Sequence, residues 1–527
     1  MQDSNRLIRA LQEPGVLGPA TEEVRTLATH MSWLLLAGSH AYKIKKPVDL
    51  GFADFSTLPR RRFFCLEELR VNRRLAPDWY LEVVPISGSP EAPTLGEIGR
   101  PIEYAVKMKR FPQQARLDRV LERDELAPRH LDGLVQQMAD FHGRVAVNSE
   151  GRDFGTPEAI RKPMQANFKH LAGEPGEPQN AAQLERLRQW SEEQFRTRQQ
   201  DFVRRKREGF VRECHGDLHL ANMFLGDDAV VPFDAIEFNE NLRWIDVLSE
   251  LAFLAMDLED RGRADFARRV VNGYLEITGD YPGLRVLPYY LTYRALVRAK
   301  VAGIRLEQEG LSPSESERLQ RQRRSYLELA ERYTSPAPPK VIVMHGVAGS
   351  GKTVASARLV EAMGAIRLRS DVERKRLFGL DRLARSGSEL NQALYAPEVT
   401  DRCYARLAEL AETVVRAGFT ALVDAAFLTR GQRRLLASTA DRLQVPFLIV
   451  HCDAEEPILR RRVCQRNAEG ADPSEAGLDV LRDQRQRRQP LSEAEARAAV
   501  PVDTTDHHWQ EEFVRTVSEK MGEPVET

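Results

Sequence analysis

Charge of one sign is what this chain most conspicuously lacks. Its 77 Lys and Arg are matched by 78 Asp and Glu, a formal net charge of −1 over 527 residues. That balance argues against a protein that coats a polyanion, while leaving room for a local basic groove. Cysteine is scarce: the 5 cysteines are Cys65, Cys214, Cys403, Cys452 and Cys464. No two form a C-x-x-C pair, and the number is odd. Structural thiols in a reducing cytosol are expected. No apolar run approaches the ~20 residues that cross a bilayer. The opening MQDSNRLIRALQEPGVLG has no signal-peptide core. The expectation is a cytoplasmic protein with no membrane partner.

What is present is an ordinary globular balance, 42% hydrophobic and 29% charged, in a chain too long for one core. The clearest boundary is TSPAPPK (334–340), whose prolines end a charged helical stretch and make a stiff connector. It divides the chain into 1–334 and 335–527. In the first part, WLLLA (33–37), AYKIKKPV (41–48), YLEVVPIS and IEYAVKMKRF read as strands. RRRFFCLEELRVNRRLA (60–76) reads as a helix, with Phe64, Leu66, Leu69, Val71 and Leu75 at roughly helical spacing. From Leu117 helical patterns dominate, except around 214–238. A small β-rich lobe (about 1–112) followed by a helical lobe (about 113–334) is therefore expected. GEPGEP (173–178) reads as a loop, and the charged segment 183–207 as a solvated helix. The second part alternates strand and helix, the pattern of a parallel sheet covered by helices.

CHGDLHLANMF (214–224) carries the first chemistry. A kinase catalytic loop needs an Asp to take the proton of an attacking hydroxyl and, five residues on, an Asn to hold Mg²⁺. Asp217 and Asn222 have that spacing, after His215. His219 reads as a brace of the loop. AVVPFD supplies a second oxygen ligand, Asp234, at the end of an apolar strand. A phosphate-binding lysine on a small-lobe strand is expected upstream. Lys43 and Lys45 face the same side of AYKIKK; Lys43 is favoured, paired with Glu68, or else with Glu67.

On HGDLHLAN followed by FDAIEF, residues 30–300 resemble the aminoglycoside phosphotransferase-like kinases. The resemblance implies a two-lobed, α+β, protein-kinase-like fold with ATP in its cleft. It makes Asp217 the catalytic base, Asn222 and Asp234 metal ligands, and Lys43 the phosphate lysine. Asp246, in WIDVLSELAF, becomes a structural brace. Two features depart from the family: no G-x-G-x-x-G precedes the loop, only LAGSH, and AIE follows Asp234. An aminoglycoside acceptor would call for an acid-rich pocket, for which Glu237, Glu240, Glu250, Asp257, Glu259 and Asp260 are candidates.

GVAGSGKT (346–353) matches G-x-x-x-x-G-K-[ST] between a buried strand, KVIVMH, and a helix, TVASARLVEAMG. Gly346, Gly349, Ser350 and Gly351 would turn backbone N–H groups toward phosphates. Lys352 would reach the β/γ-phosphates and Thr353 the Mg²⁺. In GAIRLRSDVERKRLFG, Ser370 and Glu373 have capping-box spacing. Asp371 then falls in the first turn as a hydroxyl-activating base, with Arg374 on the same face. LVDAAF ends a strand at Asp424, a second metal carboxylate. EEPILRRRVCQRN reads as a lid helix whose Arg462 and Arg466 could clamp phosphoryl charge. VPVDTTD (500–506) reads as a final strand and turn.

SDVER and LVDAAF make 338–520 similar to the P-loop kinases of the polynucleotide kinase, zeta toxin and gluconate kinase group. The expected architecture is thus a kinase-like domain followed by an α/β P-loop kinase domain with a parallel sheet. The expected function is transfer of the γ-phosphate of ATP, with Mg²⁺, to hydroxyl groups of small molecules. Residues 335–527 hold 28 Lys and Arg against 28 Asp and Glu, without the basic excess that tracks a polynucleotide, so a nucleic-acid 5′-hydroxyl is the less favoured acceptor. Two alternatives stay open: a first half that only binds or regulates, and a toxin-like or nucleic-acid-end kinase.

Overall fold

The computed structural model of the chain describes residues 2–18, 23–51, 53–96, 99–148, 151–173, 178–308, 310–384, 396–469, 472–505 and 509–522. Most of the loop expected at 173–178, and the last residue of the turn expected at 500–506, lie outside the described residues. The chain forms two compact units, residues 1–257 with 293–323, and residues 258–292 with 324–527. This division departs from the one drawn at the proline-rich connector, because a stretch of the expected helical lobe packs with the P-loop unit.

The first unit opens with a six-stranded sheet. Its order is Val24–Ala28, Ser32–Ala37, His40–Lys45, Glu103–Lys109, Tyr80–Gly88, Pro93–Leu95, and all pairs are antiparallel. Alternation along His40–Lys45 sends Tyr42 and Ile44 into a core with Leu35, Ala37, Ile86 and the helix residues Leu7, Ile8 and Leu11. Lys43 and Lys45 consequently share the opposite face. The helix Leu58–Asn72 starts at Thr57, whose side chain accepts from the Arg60 N–H, with a proline in the first turn. Its buried face is not the expected apolar stripe. It carries Arg61, Cys65, Glu68, Val71 and Asn72, while Leu66 is exposed. Polar side chains are inside because they meet lysines and backbone groups there. Beyond the sheet come mainly helices, among them Pro128–Arg144, Pro157–Gly173 and Pro178–Arg207. The α+β, two-lobed expectation holds.

The second unit is built on a five-stranded sheet in the order Ile366–Arg369, Ala421–Asp424, Val341–His345, Phe447–Asp453, Ala499–Asp503. Every pair is parallel, as expected from the strand–helix alternation. Val341–His345 is buried at every residue, the signature of a strand covered on both faces. Ile342, Met344 and Val450 pack against Ala355 and Leu359 of the helix Lys352–Met363 and Phe513 and Val517 of Trp509–Met521.

The helix Ala264–Thr278 covers the free edge of Ile366–Arg369. An uncovered edge strand offers unpaired N–H and C=O groups, and Asn272 answers both kinds. Its Oδ1 accepts from the Arg367 N–H at 2.7 Å and its Nδ2 donates to the Ala365 carbonyl at 3.1 Å. Arg268 donates to the Glu361 and Ala362 carbonyls at 2.9 and 2.7 Å, satisfying the last turn of Lys352–Met363. Glu276 receives Arg367 at 3.1 Å, Arg369 at 3.4 Å and Arg382 at 3.7 Å. These contacts are why 258–292 belongs to this unit. The four cysteines Cys65, Cys214, Cys403 and Cys452 are buried free thiols, and Cys464 is exposed. Among the described residues, no helix is long and apolar enough to cross a membrane.

Burial pushes the Glu276 carboxyl up, but Arg367, Arg369 and Arg382 outweigh it and hold the group below its usual range. A depressed carboxyl adds stability above its unfolded pKa and loses it as pH falls through the folded value. Glu276→Gln should lower unfolding stability at neutral pH by about 3–5 kcal/mol, the cost of stranding a buried partner. Denaturant titration should show the gap between variant and wild type narrowing below about pH 4. A gap that stays constant with pH would refute this role.

Candidate functional site

In the first unit, residues 214–224 follow the strand Val211–Glu213, pass through the short turn Leu220–Asn222 and enter Met223–Gly226. Gly216 has φ +90, and a Cβ there would meet the Leu242 carbonyl at 2.6 Å, so only glycine fits. The loop's buried groups are satisfied from afar. Glu250 accepts from the Gly216 N–H at 2.7 Å and meets His142 Nε2 at 2.7 Å. Asp257 accepts from the Leu220 N–H at 2.9 Å, and Arg294 donates to the Gly216 carbonyl at 3.2 Å. His215 donates to the Phe233 carbonyl at 2.9 Å, and burial keeps its imidazole below its ordinary pKa. The two buried acids therefore brace the loop. Glu237 is likewise committed, to Lys45, and Glu259 and Asp260 fall in the second unit. Asp246 takes a bidentate bond from Arg205 at 2.6 and 2.8 Å and accepts from the Leu248 N–H, which fixes the helix after the loop.

Asp217 and Asn222 meet: Asn222 Nδ2 donates to Asp217 Oδ2 at 2.8 Å. His219 Nε2 lies 3.4 Å from the same oxygen. Burial would raise the Asp217 carboxyl, but His219, Arg298 and His215 hold it far below the usual range. It is an ionised acceptor at neutral pH, and 36% of its side chain is exposed. Asp234 follows the strand Ala229–Pro232 with φ +63, a conformation unusual outside glycine. Its N–H donates to the Tyr80 hydroxyl at 3.1 Å. Its neighbour Phe233 is stitched to the loop, donating to the Asn222 carbonyl at 2.9 Å.

Lys43 donates to Asp234 Oδ1 at 2.5 Å and lies 2.8 Å from Glu68 Oε1. Lys45 takes the other Glu68 oxygen at 2.7 Å and also reaches Glu237. Glu67 pairs instead with Arg70 and Arg243. Glu68 is fully buried; burial raises it, and Lys43 and Lys45 overcome that and lower it. Both lysines are held above their usual range, burial opposing and the acids prevailing. Asp234 already meets a cation, and Asn222 keeps an amide oxygen beside Asp217. This set of hard oxygen donors fits Mg²⁺. Tyr80 and the bracing roles of Glu250 and Asp257 have no local sequence signal; only packing reveals them, as it reveals that Lys45 shares Glu68 with Lys43.

In the second unit, Gly349 has φ +80, and a Cβ there would meet the Leu459 carbonyl at 2.7 Å. Ser350 is buried within the loop. A cavity of about 530 Å³ brings together Gly349, Gly351, Lys352, Thr353, Asp371, Arg374, Asp424, Arg462 and Arg466; Gly346 and Ser350 do not line it. Lys352 Nζ donates to the Val347 carbonyl at 2.8 Å. Burial pushes its ammonium below the usual range, with Asp424 opposing. Asp424 accepts from the Ser356 hydroxyl at 3.0 Å. With Thr353 on the same cavity, carboxylate and hydroxyl again suit Mg²⁺. Arg374 donates to Thr400 Oγ1 at 3.1 Å. Arg462 donates to Thr504 Oγ1 and to the Thr504 carbonyl at 2.8 and 2.7 Å, and Arg466 to the Ala476 carbonyl at 2.7 Å.

The expected capping box does not form. The helix runs Ser370–Arg376 with no side-chain cap, because Glu373 is buried and turned to Arg376. Asp371 still lies in the first turn. Arg369, tied to Glu276 and to Asp472 at 2.9 Å, also lines the cavity. Its sequence neighbours gave no hint of this.

The lysine pair yields a prediction. Lys45→Met should cost about 3–5 kcal/mol of stability, since it strands Glu68 and Glu237 in the interior. Lys43→Met, at a side chain 19% exposed against 1% for Lys45, should cost less and weaken nucleotide binding more. Thermal unfolding and calorimetric nucleotide titration separate the two; equal losses in both measurements would undo the distinction.

Residues 97–287 match the phosphotransferase enzyme family, and residues 341–491 match the AAA domain family. Uncharacterized proteins of Mycobacterium tuberculosis (strain ATCC 25618 / H37Rv) and Mycobacterium bovis are each 27% identical over 460 residues, 86% of this chain and 89% of theirs. Among solved structures, the amicoumacin kinase hAmiN is 14% identical, covering 61% of this chain and 92% of its own, with a TM-score of 0.39. A gluconokinase from Sinorhizobium meliloti 1021 is 21% identical, covering 36% and 94%, with a TM-score of 0.25. A choline/ethanolamine kinase family protein from Mesorhizobium loti is 12% identical, covering 62% and 98%, with a TM-score of 0.36. The chain is thus similar to the phosphotransferase enzyme family over 97–287 and to the AAA domain family over 341–491, the stretch that holds GVAGSGKT.

Proposed function

We propose that the chain is a two-module phosphotransferase in which each module directs the γ-phosphate of ATP to a hydroxyl of a small molecule. The observation that carries the reading is the convergence on one cavity of Lys352, Thr353, Asp371 and Asp424. A carboxylate beside the phosphate loop, with Arg374 on the same cavity, supplies what a kinase needs to take the proton of an acceptor hydroxyl. The domain division retained for function is 1–334 and 335–527, the second module borrowing its edge cover from 258–292.

In the second module, Asp371 takes the proton of the acceptor hydroxyl as its oxygen bonds to phosphorus and the bond to the ADP oxygen breaks. Lys352 binds the β/γ-phosphates, and Arg374, Arg462 and Arg466 offset the charge on the transferring group. Thr353 and Asp424 would hold Mg²⁺. In the first module, Asp217 is the base and Lys43, positioned by Glu68, binds phosphate. Asn222 and Asp234 would hold Mg²⁺ there. The metal, when bound, supplies charge neutralisation on the phosphates; everything else is positioning by the chain.

A second reading keeps the first module for ligand binding alone. It is favoured by the lack of a G-x-G-x-x-G segment and by the direct Lys43–Asp234 pair. A metabolite extract incubated with labelled ATP tests the main reading in full-length protein, with labelled products identified by mass. Absence of any labelled metabolite, with a 5′-hydroxyl oligonucleotide labelled instead, would move the assignment to a nucleic-acid-end kinase.

Two variant pairs sharpen the roles. Asp217→Asn should preserve Mg²⁺-dependent binding of an ATP analogue and lower transfer by the first module about 10²–10⁴-fold, whereas Asp234→Asn should weaken the binding itself. Variants that both bind like wild type, in a protein whose first module labels no acceptor, would promote the binding-only reading. Lys352→Ala should abolish turnover by the second module, and Asp371→Asn should lower transfer with nucleotide affinity nearly intact. Collapse of affinity in Asp371→Asn, with unchanged transfer per bound ATP, would make that residue a structural or metal contact.

A further inference from the structure

We propose that Gln484 reads the terminal phosphate of the nucleotide in the second unit; the inference rests on taking GVAGSGKT as a phosphate cradle. Such a loop works through backbone N–H groups aimed at phosphate oxygens. The Ala348 N–H is instead taken by Gln484 Oε1, at 2.7 Å. Gln484 stands on the separate helix Leu478–Arg487 and lines the same cavity as Lys352 and Asp371. Lys352 is similarly satisfied by a protein oxygen, the Val347 carbonyl. Two donors of the cradle are thus occupied by neutral stand-ins for phosphate oxygens.

The two stand-ins differ. The Val347 carbonyl is part of the loop and offers only an acceptor. A carboxamide carries an acceptor and two donors on one rotor. When a phosphate oxygen takes the Ala348 N–H, Gln484 loses its acceptor role, and a half-turn of the amide presents Nε2–H to the same phosphate. A carboxylate cannot make that exchange, and alanine offers nothing.

Position decides which phosphate is read. The helix begins at Lys352, and Ala348 lies four residues earlier, on the limb of the loop away from the helix start. In this proposal the helix N-terminus, with its N–H groups and dipole, anchors the inner phosphates. Ala348, Gln484 and Asp371 line one cavity, and the Ala348 limb is assigned to the phosphate to be transferred. A diphosphate leaves the Ala348–Gln484 bond in place; a triphosphate must displace it. Gln484 is thereby a specificity residue for the triphosphate state.

Calorimetry on the full chain tests this with ADP and a non-hydrolysable ATP analogue, both with Mg²⁺. The second unit's site is the binding that Lys352→Ala removes. Gln484→Ala should raise Kd for the triphosphate about tenfold, the loss of one hydrogen bond to a charged group, and leave Kd for ADP within about twofold. Gln484→Glu, isosteric and held harder by the Ala348 N–H, should raise the triphosphate Kd on the order of a hundredfold, again with little change for ADP. Thermal unfolding confirms that the variants fold, and if Gln484→Ala does not, Gln484→Glu decides. Equal shifts for both nucleotides, or none, would overturn the inference and leave the cradle intact. Absence of any nucleotide binding sensitive to Lys352→Ala would overturn the cradle reading and this inference with it.

Discussion

Buried backbone N–H groups need acceptors, and in both units the segments that carry candidate chemistry obtain theirs from side chains distant in sequence. Glu250 serves Gly216 and Asp257 serves Leu220. Asn272 serves Arg367, and Gln484 serves Ala348. An irregular loop cannot close its own hydrogen bonds as a helix does, and an unpaired buried group costs as much as a lost bond. The price falls on a few polar residues placed inside the fold, and the site's geometry depends on them.

Charge is handled by the same principle. A lone buried ion would neutralise or destabilise its surroundings. The first unit therefore nests Lys43 and Lys45 among Glu68, Glu237 and Asp234, and only Lys43 and Asp234 retain appreciable exposure. The second unit sets Glu276 among Arg367, Arg369 and Arg382. Arg369 then extends from that cluster to Asp472 on the cavity wall. A helix inside the phosphotransferase-family match thus holds a residue of the P-loop cavity. The edge strand of the parallel sheet is thus covered by a helix that precedes the proline-rich connector in the chain.

Local patterns carried much of the fold. Strand alternation in AYKIKK places Lys43 and Lys45 on one face, and the strand–loop–helix order around GVAGSGKT positions its glycines and Lys352. The five-residue spacing of Asp217 and Asn222 survives as a direct contact because the turn between them is short. Where the structure departs from these patterns, a polar side chain has taken a partner that the local spacing does not show, within one turn for Glu373 and far along the chain for the others. Glu373 looked like half of a capping box and turned to Arg376. Leu66 looked like core and is exposed, because the helix gives its inner face to Glu68 and Asn72. Glu250 and Asp257, candidates for an acid-rich pocket, hold the backbone N–H groups of Gly216 and Leu220.

By itself, the sequence determined the two fold classes, the strands and helices that flank the two motifs, and the spacings within each motif, because these follow from periodicities and turn residues a few positions apart. Tertiary structure alone decided which lysine faces Asp234, which acid is a brace, which unit owns 258–292, and that Gln484 meets Ala348. Each of those depends on a polar group finding a partner scores of residues away. No local pattern encodes such a pairing, since it becomes energetically decisive only once water has been excluded from between the elements.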